Sequence, residues 1–111
     1  MRPLPQPQSL REAVRAVIKS NVADGCYPKR FIQVTKKGDA PDLVGTCEGL
    51  IAQADNLKWL ETAVVVFPEL LALEDLVARF GRNWGFKQET IAIAEARAQR
   101  FDELAGARRY G

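Results

Sequence analysis

Between Ser9 and Gly106 the apolar residues recur at steps of three and four, and most of the blocks they form end at a glycine or a proline. That spacing puts them on one face of a 3.6-residue helix and suits no alternating strand, so it constrains the chain to an all-α fold. The first eight residues, rich in proline and glutamine, predict a flexible or polyproline-like N-terminal arm. Ser9 then opens a helix, with Glu12 three residues on to complete a capping box. Leu10, Val14, Val17, Ile18 and Val22 make its apolar stripe, Arg11, Arg15 and Lys19 form a basic ridge beside it, and Asp24-Gly25 ends it.

Tyr27 to Gly38 contains the β-branched run Phe31-Ile32-Gln33-Val34-Thr35, which suits a strand. Pro28 at its start, Lys36-Lys37 at its end and Gly38 beyond them suit a short helix better, and a lone strand has no evident partner. Asp39-Ala40-Pro41 predicts the start of a helix over 41–54, with the stripe Leu43, Val44, Cys47, Leu50, Ile51 and Ala54. Gly45 and Gly49, four apart, point to a close helix crossing there, and Asp55-Asn56 to a cap between this helix and the next. Helices follow over 57–67 and 69–80, split by Pro68, and the second carries Leu70, Leu73, Leu76, Val77 and Phe80 inward. The last runs from about Lys87 to Ala105 along the seam Ile91, Ala94, Ala98, Phe101 and Ala105, with Arg97 and Arg100 outward and Gly106 as its stop. The reading is a single compact bundle of about five helices: an arm at 1–8, a helical domain at 9–106 and a basic tail at 107–111.

Chemistry is constrained as much as fold. The 111 residues include no histidine, so a Cys/His zinc site built from Cys26 and Cys47 alone falls short of four ligands. Cys47 lies on an apolar stripe and reads as a small buried hydrophobe, whereas Cys26 sits in a loop. Neither phosphate-cradling glycine loop is present, and neither serine sits in a nucleophile elbow. Glu74-Asp75 reads as a solvated helix face, adjacent side chains diverging by about 100°. The expectation is a non-enzymatic protein with no cofactor and no metal, cytoplasmic, without a membrane segment or secretory leader.

The formal net charge of +2 hides a segregated pattern, with residues 1–40 at +5, 41–80 at −5 and 81–111 at +2. Either the opposite charges meet on folding, or the N-terminal third and the tail make a basic patch for a polyanion.

One segment carries a family resemblance. Leu73-Glu74-Asp75-Leu76-Val77-Ala78-Arg79-Phe80-Gly81, followed by Gln88-Glu89-Thr90-Ile91 and Glu95-Ala96-Arg97-Ala98, resembles the helix-turn-helix of bacterial sigma-factor promoter-binding domains. Eleven positions separate Phe80 from Ile91, about four more than the family turn, and Val77 stands where a small residue is usual. The resemblance implies double-stranded DNA as partner, met by Lys87, Gln88, Thr90 and Arg97, with Arg108 and Arg109 of the tail on phosphates. The rival expectation is a protein–protein adaptor or inhibitor using Trp59 and Trp84, Trp84 reading equally as a core plug. A third is a small enzyme using Cys26. A homodimer through Gly45/Gly49 or Ala94/Ala98 accompanies the DNA reading.

Overall fold

A computed structural model gives the structure, which describes residues 4–53 and 57–110, with side chains described as far as Gly106. Among the described residues six α-helices follow one another, where about five were expected: α1 (Leu10–Ala23), α2 (Lys29–Thr35), α3 (Leu43–Gln53), α4 (Leu57–Val66), α5 (Leu73–Phe80) and α6 (Gln88–Tyr110). Short 3-10 turns at Lys36–Gly38 and Gly81–Trp84 complete the element order, and no strand occurs among the described residues. The 27–38 ambiguity therefore resolves to a helix. The Cα radius of gyration is 12.9 Å, against about 13 Å from chain-length scaling.

The start of α1 forms as its sequence directs. Ser9 Oγ accepts from the Glu12 amide at 3.2 Å, and the Glu12 carboxylate reaches back to the amide of Gln8 at 2.8 Å. Leu10, Ala13, Val14 and Val17 face the core, but the stripe then turns: Asn21 is buried and Val22 is 49% exposed. The cause lies fifty residues away. Leu70-Leu71-Ala72, expected as helix, is instead a non-helical, buried segment between α4 and α5. Its backbone needs partners. Ser20 Oγ accepts from the Leu71 amide at 2.9 Å, and Asn21 Nδ2 donates to the Leu71 carbonyl at 3.0 Å.

α3 starts later than expected. Asp42, beyond Pro41, is its cap, accepting from the Gly45 amide at 3.1 Å. A Cβ on Gly45 would collide with that carboxylate, and one on Gly49 would meet nothing within 4 Å. Gly45 therefore makes room for a cap, and neither glycine marks a close helix crossing. The Asp55-Asn56 cap expected after α3 lies outside the described residues.

Two apolar clusters form the core. Around α1, α3 and α5 gather Val14, Val17, Cys47, Ile51, Leu76 and Val77, with Phe86, Ile91 and Ala94 closing one end. Around α4 gather Ala63, Val64, Leu70, Ala72 and Phe101. α6 joins the two, running along α5 and α4 with Ile91, Ala94, Phe101 and Ala105 of the expected seam buried and Ala98 half-buried. It does not stop at Gly106. The helix continues to Tyr110, so residues 107–110 extend α6 rather than trailing it. A glycine within a helix costs only about 1 kcal/mol against alanine, and Gly106 keeps right-handed backbone.

Candidate functional site

Two segments of the N-terminal third combine into one charged face. Arg11, Arg15 and Lys19 are exposed along α1, and the 36–38 turn packs against that helix. Contact is close enough that a Cβ on Gly38 would lie 2.8 Å from Arg11 Cγ. Lys36 and Lys37 both hold left-handed backbone, with φ of 50° and 57°, a conformation that costs about 1–2 kcal/mol per non-glycine residue. Surrounding bonds hold it: Arg15 Nε donates to the Lys37 carbonyl at 3.1 Å, and the Ala40 amide to the Thr35 carbonyl at 3.1 Å. Both lysines are left on the surface beside the α1 ridge.

Asp39 is the acid in this face, 2.8 Å from Arg11 and 3.8 Å from Arg15. No carboxylate of a described residue pairs with Lys19, Lys36 or Lys37. Three acids of 41–80 turn instead toward the C-terminal third. Glu61 meets Arg100 at 3.4 Å, Glu74 meets Arg97 at 3.3 Å, and Glu48 Oε2 accepts from the Lys87 amide at 2.8 Å. Two acids of the middle third thus pair with arginines of α6, and the exposed lysines of the N-terminal third have no carboxylate partner among the described residues.

The residues singled out along the helix-turn-helix resemblance scatter. α5 and α6 do pack together, and Lys87 and Gln88 are exposed at the start of α6. Thr90 is buried there, its hydroxyl 3.5 Å from the same Glu48 oxygen, so this helix N-terminus already carries a carboxylate. Arg97 is not on the outer face. Its Nη1 donates to the Ile51 carbonyl at 2.6 Å and to Glu74, with the two side chains 14% and 8% exposed. Arg97 thereby caps the C-terminal turn of α3 and ties it to the first turn of α5, where Glu74 suits the helix dipole. Glu74-Asp75 is accordingly buried, contrary to the solvated face expected: Asp75 Oδ2 accepts from the Ala72 amide at 2.9 Å. Arg108 and Arg109 fall in the last turn of α6, its backbone there roughly 30 Å from Gln88 at 1.5 Å per residue, and their side chains lie outside the described ones.

The tryptophans divide. Trp84 is half-buried, its ring 5.7 Å from that of Phe80, and packs against the α5 side of the core. Trp59 is 48% exposed on α4, one heptad before Val66 at 58%. Ala94 is fully buried in the chain's own core, so that half of the expected dimer face is already occupied.

Burial, with Glu48 nearby, pushes the Cys47 thiol up to about 12, which makes it inert. Cys26 is half-buried, and both cysteines are free. No group of three or more potential metal ligands occurs among the described residues, and no described helix is long and apolar enough to cross a membrane.

Sequence reasoning missed the Arg97–Glu74 pair and the Ser20 and Asn21 bonds to Leu71. Each joins positions more than twenty residues apart, and periodicity carries no signal for such a pairing. Compared with known proteins, the chain matches no family model, no curated protein and no solved structure.

Proposed function

We propose that the chain is a small non-enzymatic binding protein of regulatory type, whose partner is double-stranded DNA held by its phosphate backbone. The observation that carries this reading is the face made by Arg11, Arg15, Lys19, Lys36 and Lys37, five cations from two segments with Asp39 as their acid. Phosphate contacts of this kind position a protein on the duplex without reading its sequence.

The test is fluorescence anisotropy with a mixed-sequence duplex at two salt concentrations. With about four phosphates contacted, affinity falls roughly a hundredfold between 50 and 200 mM salt. Lys19→Glu combined with Lys36→Asn and Lys37→Asn weakens binding at least about tenfold at low salt, asparagine being chosen because it tolerates left-handed backbone. Lys87→Ala with Gln88→Ala leaves binding unchanged. The reverse pattern moves the interface to the α5–α6 pair. No binding at low salt removes DNA as the partner and favours the adaptor reading, which Trp59 and Val66 on the outside of α4 support.

A further inference from the structure

Both arginines of the basic face are held from behind by the turn that docks on α1. Arg15 Nε donates to the Lys37 carbonyl at 3.1 Å. Arg11 Nε lies 2.8 Å from Asp39 Oδ1, and Arg15 Nη2 lies 3.8 Å from the same oxygen. The turn is itself fixed. The Asp39 amide donates to the Lys36 carbonyl at 3.0 Å, and a Cβ on Gly38 would come within 3.1 Å of the Arg11 carbonyl oxygen.

Two guanidiniums that approach one carboxylate oxygen stand within reach of a single anion. Their Nη groups donate a hydrogen bond to no described residue, and each side chain keeps about half of its surface in solvent. Lys19, one turn along α1, and Lys36 and Lys37 on the turn are exposed and unpaired, so Asp39 offsets only part of the local positive charge. Glu12, the acid on α1, is engaged by the Gln8 amide at 2.8 Å. Lysine would supply the same charge as arginine at these two positions. What arginine adds is a planar fork that grips phosphate through two parallel bonds.

We propose that Arg11 and Arg15 form a clip that takes one phosphate group of the duplex between their free Nη groups. Asp39 and the Lys37 carbonyl orient the two forks. The ligand rests on the DNA reading of the same face, which gains one fixed point of grip among otherwise diffuse charges. The lysines attract the backbone from a distance, and the arginine pair sets where a phosphate comes to rest.

The experiment measures anisotropy of a mixed-sequence duplex with Arg11→Lys, Arg15→Lys and Lys19→Arg, all of which keep the net charge. Each loss of an arginine weakens binding about fivefold at low salt and leaves the salt slope unchanged. Lys19→Arg, outside the pair, changes affinity by less than about twofold. A second readout titrates tripolyphosphate into isotope-labelled protein and follows the arginine Nε–H signals by NMR, those of Arg11 and Arg15 being assigned from the two lysine variants. These two signals shift together and ahead of that of Arg100. Lysine variants that bind the duplex like the parent overturn the clip and leave the DNA reading standing, its cations acting as point charges. A gain at Lys19→Arg equal to the losses at Arg11 and Arg15 also overturns it, since any arginine on the face would then serve. If the parent binds no duplex, the DNA reading falls and the tripolyphosphate titration decides alone: paired shifts keep the clip for another phosphate compound, and unmoved signals remove it.

Discussion

Arg97 and Glu74 offer the sharpest test of how the bundle is held. The perturbation is Arg97→Met, an apolar side chain of similar length. It removes the donor 2.6 Å from the Ile51 carbonyl and leaves Glu74, only 8% exposed, without its cation 3.3 Å away. Breaking a buried pair costs about 3–5 kcal/mol, and a bare buried carbonyl about 1–3. The Arg97 side chain keeps 14% of its surface exposed, so the site is not sealed from solvent and the expected loss lies at the lower end, about 3 kcal/mol. Glu74→Gln leaves Arg97 bonded to Ile51 and costs about 2 kcal/mol. The double variant Arg97→Met/Glu74→Leu exchanges the pair for apolar packing and stays within about 1 kcal/mol of the parent, a coupling that a double-mutant cycle reads directly. Urea melts followed by circular dichroism measure all three. With a slope of about 1.5 kcal/mol/M, the Arg97→Met midpoint drops by about 2 M. A drop under about 0.3 M, with the double variant no better, would refute the reasoning and return Arg97 to the outer face.

Three further outcomes follow from the same packing. Phe101 is fully buried among Ala63, Val64, Leu70 and Ala72, so Phe101→Ala costs about 3–5 kcal/mol in a urea melt. Arg100, 56% exposed beside Glu61, changes stability by less than about 0.5 kcal/mol as Arg100→Ala. At pH 8 iodoacetamide labels Cys26 before Cys47 in the folded protein, as mass spectrometry of the digested chain would show; equal labelling contradicts the burial of Cys47. Because folding raises the Cys47 pKa, its contribution to stability is complete below pH 9 and is lost as pH rises toward about 12, a decline that Cys47→Val removes.

The elements that local chemistry specifies were legible in the chain. Ser9 and Glu12 cap α1 because the groups involved lie within one turn, and the Ile91–Ala105 seam needs only the helical period. Pro28 and the lysines beside Gly38 similarly favoured a helix over a strand at 29–35. The basic ridge of α1 was equally readable, since its residues are one turn apart.

What tertiary structure decided is where chain segments far apart in sequence exchange polar groups. Leu70-Leu71-Ala72 has a helical pattern of apolar residues, yet it leaves the helix, and Ser20 and Asn21 supply the partners that the Leu71 backbone needs. The same bonds turn Asn21 inward and Val22 outward. Arg97 lies on the polar side of its helix by period alone, but Ile51 and Glu74 draw it in. Lys36 and Lys37 join the α1 ridge only because the turn that carries them docks on Arg11 and Arg15. A helical period fixes which residues share a face. Which faces meet, and which buried carbonyl or carboxylate needs a distant donor, depends on contacts that exist only once the helices have packed.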